Sequence, residues 1–190
     1  IKNLPPVMKK TLLKIINMLW KASYTPTEWK TAVTTLIHKK DNEMMLKNYR
    51  PITLLKAIFK TWEAVLDART RMTIGSKYPP NEQMGSRTDN SSAYAVMATL
   101  SLMRQAKLKG QEITTLQIDM NKAYNRVCHK VLWSDLYDFG IKGKLLKAII
   151  STYTKAKDSI RIGESITEFF NLPNGLRQGS VLSPILYILY

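Results

Sequence analysis

Proline and glycine divide this chain into short segments whose apolar periodicity keeps switching, and that switching excludes most architectures. Pro5-Pro6, Pro26, Pro79-Pro80, Gly85, Gly110, Gly140, Gly143 and Gly163 set the boundaries. Between the first two, Val7, Met8, Leu12, Ile15, Ile16 and Leu19 recur at helical spacing, with Pro6 suited to the first turn. Past Pro26, Ala32, Thr34, Leu36 and His38 alternate with Val33, Thr35 and Ile37, which predicts a half-buried strand ending at Lys39-Lys40. Leu55, Ile58, Phe59, Trp62, Val65, Leu66 and Met72 predict a helix from about Ile52 to Met72. Asp89 to Ser92 offer caps for another helix through Leu108, closed by Gly110. Ile113 to Asp119 reads as a buried strand, and short helices are expected on either side of Gly140 and Gly143. Ser159–Gly163 and Ile166–Phe170 read as a hairpin. Helices interleaved with few, widely spaced strands imply an α+β fold, with helices packed on a small antiparallel sheet, rather than a doubly wound one.

Charge narrows the partners. The 190 residues carry 29 Lys and Arg against 14 Asp and Glu, a formal net charge of +15. Residues 1–60 hold twelve basic and three acidic side chains, so +9 of that excess lies in the first third. A polyanion is the expected partner, through steering and counterion release. The most apolar stretch, Val181 to Tyr190, is about half of what a bilayer crossing needs. With no basic leader ahead of a long apolar run, the chain reads as intracellular, nuclear or cytoplasmic, with no membrane partner. One cysteine, Cys128, excludes an internal disulfide, and His38 and His129 alone argue against zinc.

Two places concentrate chemistry. Asp119 ends the expected strand Ile113–Asp119, where a carboxylate can emerge into a cleft and bind a metal ion; capping the turn that follows is the competing role. Tyr124, five residues on, suits the floor of a pocket against a sugar, or equally a place in the core. The second place is Asn174-Gly175-Leu176-Arg177-Gln178-Gly179-Ser180. Its glycines permit close backbone approach, Arg177 offers a forked donor to phosphate, and Gln178 offers both donor and acceptor to a base or sugar edge. A plain turn with a solvated Arg177 is the alternative. Lys39, Lys40 and Arg50 follow the first strand and suit a triphosphate, or else a solvated surface and a structural ion pair. Arg87 suits a nucleic-acid backbone. The Gly-x-x-x-x-Gly-Lys phosphate loop is absent.

Taken in order, these blocks resemble the reverse transcriptase domain of non-LTR (LINE-type) retrotransposons. The resemblance runs through Trp29–Val33, Lys39-Lys40, Asn48-Tyr49-Arg50-Pro51-Ile52, Glu82–Gly85, Ile118–Tyr124 and Gly175–Pro184. It implies the fingers (residues 1–110, with helices leading to the palm) and a partial palm (111–190) of a right-hand polymerase. It also implies an RNA template, a DNA primer and deoxynucleoside triphosphates as partners. By the same resemblance Asp119 binds catalytic Mg²⁺, Tyr124 is the sugar gate, and Lys39, Arg50, Gln178 and Gly179 lie at the nucleotide. Arg177 and Arg87 lie by the template or its backbone. Asn125 and Ser86 depart from the family's usual Asp and Phe, and neither the family's Asp-Asp strand nor its thumb lies within these 190 residues. The implied function is an RNA-directed DNA polymerase fragment, inactive alone. A non-catalytic RNA-binding remnant and a structural or partner-binding fragment are the alternatives. Leu182, Ile185, Leu186, Ile188 and Leu189 are expected to expose apolar surface and promote self-association.

Overall fold

The computed structural model of the chain describes residues 3–75, 78, 80, 82–85 and 91–190; Arg87 lies outside them. Helix α1 spans Pro6–Ala22, with proline in its first turn and left-handed Ser23 closing it on the carbonyls of Leu19 and Trp20. Strand β1, Thr31–His38, follows. Its alternation is real at the start, where Ala32 and Thr34 are buried, and fades as Ile37 and His38 reach solvent. Strand β2, Tyr49–Leu54, returns antiparallel, with Thr34 opposite Thr53 and Ile37 opposite Arg50. Helix α2 therefore begins at Ala57 and runs to Ile74, not from Ile52. Pro51 favours extended backbone before it, and Ile52 to Leu54 gain a ladder on β1 that a helix would forfeit.

Helix α3 covers Ser92–Leu108, α4 His129–Asp138 and α5 Gly143–Tyr153. Strand β3, Lys157–Ile162, runs parallel to β1 with Thr34 opposite Ile160. Short strands β4, Ser165–Ile166, and β5, Phe170–Asn171, both pair antiparallel with β3. The expected antiparallel sheet is thus a mixed one, ordered β2-β1-β3-β4. The long excursion from residue 39 to residue 156 is the crossover that parallel neighbours require. Helices pack around this sheet, so the architecture is α+β.

The segment 113–119 is not a strand. Residues 111–120 adopt no regular structure and are all exposed, Leu116 at 85% and Ile118 at 79%. A strand needs a ladder partner, and this segment pairs with none of β1 to β5, the outer strands β2 and β4 included.

Phe59, Trp62 and Leu66 of α2 pack with Leu132 and Leu136 of α4, Ala148 and Ile149 of α5, and the last helix, α6, Ser183–Leu189. Trp62 is fully buried, and its indole N–H donates to Thr25 Oγ1 at 2.9 Å. Leu182, Ile185, Leu186 and Leu189 lie in this core and Ile188 is half-buried. The apolar crowding at residues 182–189 is therefore interior packing, and these side chains are not the exposed surface that their sequence suggests.

That burial has a measurable consequence. Leu186→Ala should cost about 2–5 kcal/mol of unfolding free energy by denaturant titration, while Leu116→Ala should stay within about 0.5 kcal/mol. Equal effects would contradict the placement of both residues.

Candidate nucleotide and nucleic-acid site

The turn from Gly175 to Ser180 is held by backbone bonds to two distant segments. Gly175 N–H donates to Val127 O and Leu176 N–H to Tyr124 O, each at 2.8 Å. These tie the turn to the 3₁₀ segment Ala123–Arg126. Further along, Thr53 N–H of β2 donates to Gln178 O at 2.7 Å. The glycines are steric requirements. A Cβ on Gly179, at φ +125°, would lie 2.4 Å from Thr53 O, and one on Gly175, at φ +85°, would lie 3.2 Å from Asn125 Cα. Segments read separately in the sequence, 50–53, 124–127 and 175–180, therefore meet at one place.

Side chains add a second set of ties. Glu63, 1% exposed on α2, accepts from Ser180 Oγ at 2.6 Å and from Val181 N–H at 3.1 Å. Ser180 Oγ in turn accepts from the N–H groups of Leu182 and Ser183, each at 3.2 Å, which caps the approach to α6. Ser183 Oγ lies 3.3 Å from the hydroxyl of buried Tyr153. His129 contributes a ring nitrogen 2.8 Å from Gly175 O.

Arg177 departs from the sequence expectation. It is 4% exposed and points inward, Nη2 donating to the carbonyls of Lys30 and of Lys157, the latter at 3.2 Å. Burial lowers its pKa, against the attraction of Asp158, Tyr153 and Glu63. With Nη2 committed to the carbonyls of Lys30, just before β1, and Lys157, in β3, the side chain anchors these two segments rather than lying solvated on a plain turn. Lys30 is also buried, with Nζ donating to Ser151 O at 3.2 Å and Thr154 O at 2.8 Å.

The remaining sequence candidates divide into two groups. Gln178 is half-buried on a cleft of about 270 Å³ that Thr34, Thr53, Asn125, Asp158 and Arg177 also line. Tyr124 is half-buried, its ring centroid 5.1 Å from that of Tyr187, and burial raises its pKa. Lys39 and Arg50 are exposed at the loop end of the β1–β2 hairpin, where Lys39 N–H donates to Asn48 O at 2.9 Å. Asp119 lies on the exposed segment 111–120 and is not among the residues lining the cleft. Among the described residues, no group of three or more His, Cys, Asp or Glu comes together. The residues present therefore do not complete a divalent-cation site around Asp119.

Glu63, Asp158, Lys30 and His129 are the residues that sequence reasoning missed. Only Glu63 left a clear signal: it sits between Phe59, Trp62 and Leu66 on the apolar stripe of α2, where a carboxylate needs partners.

The family model for "Reverse transcriptase (RNA-dependent DNA polymerase)" matches residues 37–190, and the chain belongs to this family. It is 26% identical, over its whole length, to a probable RNA-directed DNA polymerase from transposon X-element of Drosophila melanogaster, and 28% identical to one from transposon BS of the same species. Each alignment covers 21% of the relative. A Pol polyprotein from the R2 retrotransposable element of Popillia japonica is 26% identical over 86% of the chain and 23% of that protein. The chain is thus a reverse-transcriptase-like domain related to those of non-LTR retrotransposons, and it spans about a fifth of the length of these relatives. None of its described helices is long and apolar enough to cross a membrane.

The buried carboxylate predicts a pH dependence. Desolvation raises Glu63 from 4.5 to about 7, against the bonds from Ser180 and Val181 and the charges of Arg177 and Lys60. The folded chain then keeps this proton to a higher pH than the unfolded chain does. Stability from this group is complete below 4.5 and is lost as pH rises to about 7. Asp158, also raised by burial, acts in the same direction. Across that window the wild type should lose on the order of a few kcal/mol relative to Glu63→Gln in denaturant titrations. Parallel pH profiles for the two proteins would contradict it.

Proposed function

We propose that this chain forms the fingers and part of the palm of an RNA-directed DNA polymerase. In this reading it holds the template strand and the nucleotide-facing turn of the enzyme. Residues 1–110 are the fingers and residues 111–190 the partial palm. The observation that carries the reading is the junction at Thr53, where its N–H on Gln178 O and the Cβ-free Gly179 join the basic β1–β2 hairpin to the Gly175–Ser180 turn. Lys39 and Arg50 extend from that hairpin to meet a triphosphate. Gln178 and Gly179 present the turn to the nucleotide, and Tyr124 places its ring where a ribose 2′-hydroxyl would fall.

In a longer protein, Mg²⁺ supplies the charge stabilisation for nucleotidyl transfer, and Asp119 is this chain's carboxylate toward it. Asp119 stands on an exposed irregular segment, and no group of three or more His, Cys, Asp or Glu forms around it among the described residues. That observation favours a narrower activity for the 190 residues alone, namely RNA binding without primer extension. The +15 charge supplies the affinity, with RNA template, DNA primer and deoxynucleotides as the partners of the longer protein.

The purified chain should bind RNA with log K falling linearly in log salt concentration, because each neutralised phosphate releases counterions. Under the same conditions it should not extend a primer with Mg²⁺ and all four deoxynucleotides. Salt-independent binding would contradict the electrostatic part, and template-dependent extension would contradict the rest. In a longer protein that polymerises, Asp119→Asn should lower the rate by about 10²–10³ while RNA affinity holds. There Tyr124→Val should raise ribonucleotide over deoxynucleotide incorporation; an unchanged ratio would place Tyr124 in the core instead.

A further inference from the structure

The stretch 139–157 carries five lysines, at 142, 144, 147, 155 and 157, and no Asp or Glu. Helix α5 lies within it, and burial sorts its side chains. Leu145, Ala148, Ile149, Thr152 and Tyr153 are buried, while Lys144 and Lys147 are exposed and Ser151 is half-buried. Spacings of three and four residues put Lys144, Lys147 and Ser151 on one helix face, and Lys155 joins Lys147 and Ser151 just past the helix. The basic ridge is about 16 Å long by the helical rise.

A cleft of about 370 Å³ opens at each end of this ridge. At the start of α5, Lys142 and Lys144 meet Arg69 and Trp20; at its end, Lys147 and Lys155 meet Tyr24 and the buried Lys30. No Asp or Glu lines either cleft, and among the described residues none of these cations is in an ion pair. Glu28 attracts Lys30, but burial and the charges of Lys155 and Arg177 outweigh it and lower that lysine's pKa. Aromatic faces hold two cations in place without neutralising them. Arg69 Cζ lies 4.0 Å from the ring centroid of Trp20, and Lys142 Nζ lies 4.3 Å from that of Tyr137. Lys155 has left-handed backbone, φ +56°, which glycine adopts freely and lysine only with strain. The fold alone favours glycine there, so the lysine answers to what its charge meets.

Cations gathered without a carboxylate repel one another, and a polyanion relieves that repulsion. A row of them along a helix suits the successive phosphates of a nucleic-acid strand, and Trp20 and Tyr24 offer rings to a sugar or base at the two ends. An anionic lipid surface would need apolar side chains standing out among the lysines; Leu146 and Ile150 are half-buried instead. We infer that the exposed face of α5, from Arg69 and Lys142 at one end to Lys155 at the other, is a second RNA-binding surface that grips the sugar–phosphate backbone. It shares no residue with Lys39, Arg50 or the cleft beside the Gly175–Ser180 turn. The inference rests on the RNA-binding reading above and adds to it a contact independent of that turn.

The test measures binding of a labelled single-stranded RNA to the purified chain by fluorescence anisotropy across salt concentrations. The α5 variant Lys144→Gln, Lys147→Gln, Lys155→Gly should lower the slope of log K against log salt by about 2, each lost phosphate contact removing about 0.7, and weaken binding at low salt by on the order of tenfold or more. A control variant, Lys107→Gln, Lys109→Gln, Lys130→Gln, removes the same charge from exposed positions on other elements, and its slope should stay within about 0.5 of wild type. Lys155→Gly alone relieves the left-handed strain, so it should melt no lower than wild type while its slope falls by about 0.7. That single variant decides the matter where the α5 variant does not fold. Equal losses in the α5 and control variants, or an unchanged slope in Lys155→Gly, overturn the inference and leave electrostatic RNA binding intact. So does binding to vesicles of anionic phospholipid that the α5 variant abolishes while RNA affinity holds. A wild type without salt-sensitive RNA binding overturns both.

Discussion

The carboxylate of Glu63 is the constraint around which the Gly175–Ser180 turn is arranged. It is buried on α2 and receives Ser180 Oγ and Val181 N–H, while Ser180 Oγ closes two further N–H groups at the start of α6. One side chain thus fixes the exit of the Gly175–Ser180 turn, the entry to α6 and their distance from α2. The other fastenings act on the same loop: Thr53 from β2, Tyr124 and Val127 from the preceding turn, and Arg177 reaching back to β1 and β3. Burying a carboxylate is costly, and this one is tolerable because both its oxygens are satisfied and Arg177 is close enough to attract it.

Local chemistry was the part of this fold that the sequence made legible. Pro6 and the apolar spacing after it gave α1, the alternation from Ala32 gave β1, and the glycines at 175 and 179 marked a turn that cannot accept a Cβ. What it could not show depends on partners distant in the chain. Ile113–Asp119 has the composition of a strand but pairs with none of β1 to β5, and its side chains face solvent. Ile52 to Leu54 have helical company on one side, yet β1 captures them. Arg177 looks like a surface donor until the carbonyls of Lys30 and Lys157, 147 and 20 residues away, claim it. Asp158 carries no local signal at all, because its importance arises only when β3 docks on β1 and Thr34 comes within reach.

These ties separate two functions that a polymerase must unite. The cleft, the basic hairpin and the Gly175–Ser180 turn are assembled by bonds internal to the chain. The segment carrying Asp119 is not, although it lies only a few residues from Tyr124, which the turn holds in place. On the function proposed above, a scaffold of this kind grips a strand through its fastened parts, while no group of three or more acidic or histidine side chains gathers around Asp119 among the described residues.

Amide hydrogen exchange on the purified chain tests this separation most directly. The account predicts strong, cooperative protection of the amides of Thr53, Leu176 and Val181, whose N–H groups fasten the turn to its neighbours, and near-free exchange throughout residues 111–120. Rapid exchange at those three amides, or protection of residues 113–119 comparable to that of β1, would contradict it.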